Sequence, residues 1–502
     1  KYPDKIKIIL KAHQEINMTY FRSVISIFFL FTALTFSAIT SYEKERANAV
    51  KLYQQGNYLE ALEIFKSLVD AQDNNAFAVC SDLSYAVQCL SALNRMNEAD
   101  DFLEKIVNNT TNWHLLKTCA EQYYQLPHYG FIVGGKFERG HHRGGGKYVS
   151  SFERDRVRAL QILNSVLILA QNDPDKASVS ELYTKYAEIL LAGRSTGQSW
   201  QLQYLTDTST LPDYEEGNFY YHRGYNISQS YAPSDEKGNP IFYSVPSSFE
   251  IAASDGERWR WMLAKAMELN PLRRYEIFCQ YADFLFTQFD VHTMAEYSFF
   301  FSSRAATEEK NESGPYAVES LNDHETIARL ACGIRRFNLP DDANYISIYK
   351  TIVSENPKGS YSEQVMNRLA EIYENRRQYD KAVEWWEKSI KMHGDKEWKK
   401  SRIEQIIGNW GEFEPVMTHP AGKSASVEFK FRNGKKVSFT AHKIKIPQLL
   451  NDVKDYLKSN PRTLKWDEID VNNIGYRIVA KNEKKYTVSY THLRAHETPE
   501  HL

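Results

Sequence analysis

Cysteine is scarce in this chain, and no two cysteines have a spacing typical of a metal site or a redox motif. The chain has five cysteines among its 502 residues and no Cys-x-x-Cys pair. An odd number leaves at least one thiol without a partner in the chain, which argues against a disulfide framework. Each cysteine lies in a stretch with helical periodicity, so we interpret all five as buried small apolar residues: Cys80, Cys89, Cys119, Cys279 and Cys332.

Net charge is almost absent as well. The chain has 62 Lys+Arg against 64 Asp+Glu, so it has no long-range field that would favour nucleic acid or an anionic membrane. This balance argues against a nucleic-acid-binding protein. Aromatic residues make up 13% of the chain and 32 of them are tyrosines. That is more than helix packing needs, which indicates that some of them contact other proteins.

A long apolar run occurs only once, close to the start of the chain. Residues 24–36 are almost entirely apolar, Arg22 precedes them, and small residues follow as far as Thr40. This pattern predicts a secretory signal peptide over residues 18–40, preceded by a non-native leader over residues 1–17. A membrane anchor is the alternative, but the run is short for a span of about 20 residues. We therefore expect an exported chain, periplasmic or extracellular, or associated with the cell envelope.

A helical hairpin is predicted over residues 364–393. The only polar break in this stretch is 375–378, and on either side of it apolar or small residues recur every three or four positions. The small Ala382 lets the second helix approach the first closely. The residues that define the two faces are Leu369, Ala370, Tyr373, Tyr379, Ala382, Trp386 and Ser389.

The same order of residues recurs near the start of the chain. Gly56, Tyr58, Ala61 and Phe65 repeat the spacing with a glycine in the turn, and a weaker copy runs through residues 83–103. These units resemble tetratricopeptide repeats, in which stacked helix pairs bury a continuous core. Unrelated amphipathic hairpins are the alternative. We predict one helical array over residues 42–407, with further helices at 157–170, 182–193, 259–270, 274–289, 297–301, 327–337 and 345–353.

A glycine-rich stretch over residues 127–150 interrupts the helical pattern. A phosphate-binding loop is excluded because Gly146-Lys147 is followed by Tyr148 rather than by Ser or Thr. His141 and His142 are candidate metal ligands, but adjacent side chains diverge and no carboxylate or cysteine follows at ligand spacing. We therefore predict a surface loop.

A second irregular stretch, residues 206–250, is rich in proline and aromatic residues. Loops of this length within compact domains are usually functional or packed down by their own aromatic side chains. Asp213, Glu215, Glu216 and His222 suggest acid/base chemistry. A solvated acidic turn explains the same residues, because nothing in the sequence fixes their geometry.

The tetrapeptide Cys119-Ala120-Glu121-Gln122 matches the core of the internal thioester of complement and macroglobulin proteins. That chemistry needs a strained turn, usually flanked by glycines. Here the tetrapeptide has helical periodicity and no glycine nearby. We predict a helix with a free thiol at Cys119.

From Gly408 the apolar period changes from 3.6 to two. Residues 426–442 predict a β-hairpin closed by an Asn433-Gly434 turn. An amphipathic helix at 449–457 and a strand at 475–479 follow. The predicted fold class is therefore mainly α, a tetratricopeptide-like helical-hairpin array or α-solenoid, followed by a small α+β segment with a β-hairpin.

Much of the chain resembles the N-terminal region of large secreted bacterial alpha-2-macroglobulin family proteins. The resemblance lies in residues 128–130, 140–146, 211–217, 254–261, 293–297 and 408–416. It implies a segment of an endopeptidase inhibitor whose bait and trapping domains follow, and residues 487–502 look like adapter-derived sequence. The predicted segments are 1–17 (leader), 18–40 (signal peptide), 41–126 (repeats), 127–360 (family-specific helical region), 361–407 (repeat), 408–486 (α+β) and 487–502 (tail).

The sequence therefore predicts a protein-interaction scaffold, with no catalytic, cofactor-binding or metal-binding residues. Its expected partners are proteins: the target protease, through the downstream region, and an envelope protein. The alternatives are a tetratricopeptide-repeat adaptor of a cell-envelope complex and a metal-dependent hydrolase built on His141, His142 and the nearby acids.

Overall fold

A computed structural model describes most of the chain after the predicted signal peptide. It divides into two compact units, one ending at Lys396 and the other beginning at Glu397. Predictions for the leader, the signal peptide, the helix at 297–301 and the strand at 475–479 lie outside the described residues. Those residues are 42–71, 75–195, 198–216, 231–291, 317–394, 396–413, 428–438, 441–465, 469 and 483–490.

The first unit is mainly helical, which confirms the predicted fold class. Most of its helices pack against a neighbour in the chain: α2 with α3, α5 with α6, α7 with α8, α9 with α10, and α11 with α12. In chain order they are α1 (42–54), α2 (Tyr58–Asp70), α3 (Ala76–Ala92), α4 (Ala99–Asn109), α5 (Trp113–Gln125), α6 (Phe152–Ala170), α7 (Lys176–Leu191), α8 (Asp255–Leu269), α9 (Arg274–Phe289), α10 (Tyr345–Glu355), α11 (Ser362–Asn375) and α12 (Tyr379–His393).

The predicted hairpin at 364–393 is confirmed as α11 and α12. Ala382 and Tyr373 are fully buried, and Trp386 is buried with its indole N–H donating to Glu374 Oε1 at 2.6 Å. Ser389 Oγ donates to Asn367 Oδ1 at 2.8 Å. This bond joins the end of α12 to the start of α11, so the two helices are antiparallel.

Three turns between successive helices share one geometry: those after α1, α3 and α11. Gly56, Asn94 and Arg377 have positive φ angles of 82°, 57° and 55°. In each case the next residue donates its backbone N–H to the carbonyl five positions earlier, at 2.8–2.9 Å. This is the Schellman arrangement, which ends a helix and turns the chain back along it. Counted from the turn residue, a buried alanine follows at the same position after all three turns: Ala61, Ala99 and Ala382.

The sequence predicted a surface loop for the glycine-rich stretch. This prediction is wrong, because the stretch forms three strands. These are β1 (Tyr129–Val133), β2 (Lys136–Arg139) and β3 (Lys147–Ser150), which lie between α5 and α6. With β4 (Glu215–Glu216) they form an antiparallel sheet in the order β2-β1-β3-β4. Gly134 and Gly135, with φ of 55° and 85°, form a two-residue turn between β1 and β2. Glycine suits such a turn because both positions need positive φ.

The predicted helix at 327–337 is also wrong. Residues 325–338 form a hairpin of β5 (Glu325–Leu330) and β6 (Gly333–Asn338) with a two-residue turn. Gly333 has φ of 119°, which disfavours continuation of a helix. Cys332 lies exposed in this turn, so it is not the buried residue that the sequence predicted. The array over residues 42–407 is therefore interrupted by β-structure within its helix pairs.

The described parts of residues 206–250 are irregular, as predicted, apart from β4 and isolated bridges. Residues 192–254 separate α7 from its partner α8, yet the pair remains antiparallel. Ser180 Oγ, near the start of α7, donates to Ala266 O near the end of α8 at 2.7 Å. The helix pair thus tolerates a long insertion because its own contacts hold it together.

The second unit is a small α+β structure whose strand pairing differs from the prediction. In the part of this stretch that the structure describes, β8 pairs with β7 and not with the residues that follow Asn433-Gly434. Asn433 Nδ2 instead donates to the carbonyls of Ile406 and Gly408 at the end of α13, both at 3.1 Å. The elements are α13 (Glu397–Ile407), β7 (Trp410–Phe413), β8 (Phe429–Arg432), β9 (Ala441–Ile444), α14 (Ile446–Lys458), α15 (Glu483–Tyr486) and β10 (Thr487–Tyr490).

The predicted helix at 449–457 is confirmed as α14, whose Leu449 packs on Tyr486. β9 pairs with β10, which falls in the stretch assigned to the adapter-derived tail. No helix in the described part of the chain is long and apolar enough to cross a bilayer.

Candidate functional site

A buried ion cluster attaches the sheet to the helices. Arg139 on β2 donates to both oxygens of Asp155 on α6, at 2.7 and 2.8 Å, and to both oxygens of Asp100 on α4, at 2.8 and 2.6 Å. Burial raises the pKa of Asp155, but hydrogen bonds from Arg139 and His128 outweigh it, so the pKa lies below its ordinary value. The paired charges satisfy one another, which is the usual condition for burying them.

The serine and histidine in this cluster are not arranged for nucleophilic catalysis. Ser151 Oγ donates to Asp155 at 2.7 Å. His128 Nδ1 lies 2.8 Å from the same carboxylate, while its Nε2 faces Tyr124 O at 3.1 Å. A nucleophile needs its base within hydrogen-bond reach of the hydroxyl, whereas here both groups converge on the carboxylate. The cluster therefore positions the sheet.

His141 and His142 are held apart by different aromatic rings. The His141 ring meets Tyr129 edge-on at a centroid distance of 5.7 Å, and the His142 ring lies 5.9 Å from Phe131. Nowhere in the described residues do three or more His, Cys, Asp or Glu side chains gather in a way that could hold a metal ion.

The acidic candidates of residues 206–250 do not form one site. Glu216 pairs with Lys147, Asp213 is exposed, and His222 lies outside the described residues. Glu215 instead lines a cavity with Glu153 and Arg194. The structure thus joins Glu215 to residues that sequence proximity did not indicate.

Cys119 lies in α5, which confirms the predicted helix. Its side chain is fully buried, and burial raises the pKa of its thiol. Gln122 lies one turn further along the same helix and is buried too, with its amide 3.5 Å from Ser84 Oγ. A helical turn is not the strained turn that the thioester chemistry needs.

An opening suited to a partner is a groove between α7 and α9, the first helices of two successive pairs. It has a volume of about 640 Å³, with the buried side chains of Trp259 and Phe284 among its lining residues. Two polar rows form its walls, with members three or four positions apart: Glu181, Lys185 and Glu188 on α7, and Glu276, Gln280, Asp283 and Thr287 on α9.

The groove walls are fixed by internal bonds. Arg273, just before α9, donates to Thr184 Oγ1 on α7 at 2.7 Å and pairs with Glu276. Lys185 pairs with Glu188 at 2.6 Å. Glu181, Glu188, Gln280 and Thr287 are nevertheless exposed, so the groove offers polar groups on an ordered frame.

Sequence patterns did not reveal the groove. A polar row at helical spacing is what any solvent-facing helix surface shows, and the two rows come from helices separated by a long insertion. The sequence predicted only that α7 and α9 belong to one stack of helices.

Similarity to known proteins was found only among solved structures. No family model matches the chain, and no curated protein matches it. Solved structures do match, among them a crystal structure of the P58(IPK) TPR domain. It is 12% identical, the match covers 73% of this chain and 97% of that chain, and the TM-score is 0.12. The tetratricopeptide-like fold rests on the three equivalent turns and on the paired helices.

Proposed function

We propose that the helical array is a protein-interaction scaffold that binds an extended segment of a partner protein in the groove between α7 and α9. The observation that carries this proposal is the pair of partly exposed polar rows, whose two walls are joined by the hydrogen bond from Arg273 to Thr184. Grooves with apolar residues beneath convergent polar groups are the usual form of a binding site. No catalytic role is part of this proposal.

The charge of the groove favours a basic segment. Its lining contains four carboxylates, from Glu181, Glu188, Glu276 and Asp283, and two cations, from Lys185 and Arg273. Complementary charge mainly sets partner choice and association rate. We therefore expect the bound segment to carry lysine or arginine.

Selection from a displayed library of random short peptides tests this function. Peptides enriched on the purified chain should carry basic residues and should bind the double variant Glu181→Lys/Glu188→Lys at least about tenfold more weakly. The matched control is Glu384→Lys/Glu387→Lys, which reverses two exposed carboxylates on α12 and should leave binding unchanged. Equal loss in both variants, or no enrichment of basic peptides, would refute the groove assignment.

A finer proposal concerns the protein to which this scaffold belongs. We infer an exported N-terminal region of an alpha-2-macroglobulin-like endopeptidase inhibitor, in which a bait segment outside these residues would be cleaved. The sequence resemblance supports this, and several resembling segments lie around the junction of sheet and helices. Tyr214 stacks on Phe137 at 4.5 Å, and Asp255 accepts from Thr206 N at 3.0 Å.

A single experiment tests whether the chain is exported. A fusion of residues 18–60 to a periplasmic reporter should be secreted and cleaved near Thr40. An uncleaved product held in the membrane would contradict the proposal. An envelope adaptor would also be exported; it differs in binding an envelope protein through the groove without a downstream inhibitor region.

A further inference from the structure

A second cavity, separate from the groove, lies between the start of α6 and the insertion that follows α7. Its volume is about 440 Å³. Three carboxylates line it, from Glu153, Asp207 and Glu215, against one guanidinium, from Arg194. The lining therefore has an excess of negative charge.

Two of the three carboxylates already have partners. Glu153 Oε1 accepts from Arg194 at 2.7 Å and from Arg156 at 3.1 Å. Asp207 accepts from the backbone N–H of Ser209 at 2.8 Å. Glu215 has neither a hydrogen bond nor an ion pair with its side chain among the described residues. Desolvation in the cavity and the nearby Glu153 raise its pKa, and Arg194 offsets only part of this.

Aromatic side chains stand beside these acids. Trp200 and Tyr204, which line the cavity, are 42% and 64% exposed, and Leu205 is exposed next to them. Large apolar side chains exposed together at a cavity commonly mark a contact with another protein. Aromatic faces also attract cations, and arginine most often.

Hydrogen bonds to α6 and α8 hold the cavity walls in place. Asp255 accepts from Thr206 N at 3.0 Å and donates its own N–H to Tyr204 O at 2.9 Å. On the opposite side, Arg154 donates to Pro212 O at 2.8 Å. The aromatic residues and Glu215 therefore belong to an ordered frame.

We propose that this cavity receives the side chain of an arginine from a partner protein, whose guanidinium is bound by Glu215 and stacks on Trp200, with the Tyr204 ring, at 82° to that of Trp200, closing one side. Arginine fits better than lysine because its planar group can stack on a ring and bind a carboxylate through two N–H donors at once. The inference does not depend on the groove, because no side chain lines both cavities.

Saturation-transfer NMR on the full chain tests the proposal with N-acetylarginine amide as the probe. We expect a signal that falls with added salt, with N-acetyllysine amide weaker and the uncharged citrulline analogue silent. Glu215→Gln should weaken binding by about tenfold or more, and Trp200→Ala should weaken it too. Glu216→Gln is the matched control, because it changes the adjacent exposed carboxylate, which pairs with Lys147.

Each contrary result has a definite meaning. No signal from the arginine probe, or equal signals from arginine and citrulline, would overturn the site. Equal binding of lysine would overturn the assignment to arginine, and loss in Glu216→Gln as large as in Glu215→Gln would overturn the role of Glu215. The double variant at Glu181 and Glu188 should retain the signal, which separates this site from the groove.

Discussion

Buried charged side chains connect the inserted sheet to the helices. Arg139 reaches carboxylates on two different helices, Asp100 on α4 and Asp155 on α6. His128 joins the same cluster through Asp155. At the level of single residues, the cluster therefore attaches the sheet to the helices.

Replacing Asp155 by Ala should lower the free energy of unfolding by roughly 3 kcal/mol, because it leaves a buried guanidinium with one partner fewer. Urea denaturation followed by circular dichroism measures the change. Asp101→Asn is the control, because Asp101 is largely exposed and should cost less than about 0.5 kcal/mol. Similar losses in both variants would contradict the role of the cluster.

The cross-strand pair of Glu325 and Arg336 should make stability depend on acid pH. Hydrogen bonds from Arg336 and then from the Asn322 backbone lower the pKa of Glu325 from 4.5 to about 2. Because the folded pKa is the lower one, the stabilisation is present above pH 4.5 and is lost as the pH falls towards 2. Glu325→Gln should therefore be less stable than the wild type at neutral pH, and the difference should disappear near pH 2. A constant difference across this range would contradict the assignment.

The buried thiol of Cys119 should not belong to a thioester. Incubation of the folded chain with methylamine should add no mass at Gln122, since both residues lie in α5. Replacing Cys119 by Ala should cost only packing energy, on the order of 1 kcal/mol. A methylamine adduct on Gln122, detected by mass spectrometry together with a newly free thiol, would place reactive chemistry in this helix.

Secondary-structure elements could be predicted where one period of apolar residues dominated the sequence. The prediction failed where a helical and a strand signal competed. The hairpin of α11 and α12 followed from residue spacing alone, and its Schellman turn has equivalents after α1 and α3. In residues 327–337, however, Ile327, Leu330 and Ile334 fit a helical face, although the chain turns back before Gly333, which begins β6 and pairs with Leu330. In the second unit, Asn433 caps α13 rather than closing a hairpin, which only the tertiary structure could decide.

The sheet between α5 and α6 depends on a glycine that permits close strand pairing. A side chain on Gly130 would place its Cβ 2.3 Å from Glu138 O, so Gly130→Ala must displace β2 and should cost roughly 2 kcal/mol. Gly145→Ala is the matched control, because no atom lies within 4 Å of its Cβ position. Equal unfolding midpoints for the two variants would show that the strands are not paired as described.

At the scale of the molecule, stacking of helix pairs creates the groove. The stack could be predicted from the sequence, but the groove could not. Glu181 on α7 and Gln280 on α9 look like ordinary solvent-facing residues in the sequence. Their joint role depends on which helices become neighbours. The same holds for Glu215, which meets Glu153 only after the insertion folds back over α6.

Hydrogen–deuterium exchange of the full chain, with and without a library-selected basic peptide, tests the central claim most directly. Bound peptide should slow amide exchange in α7 and α9, around residues 181–191 and 273–287, with little change in α11 and α12. In the Glu181→Lys/Glu188→Lys variant this protection should disappear. Protection confined to other helices, or protection that persists in the variant, would show that the groove between α7 and α9 is not the binding site.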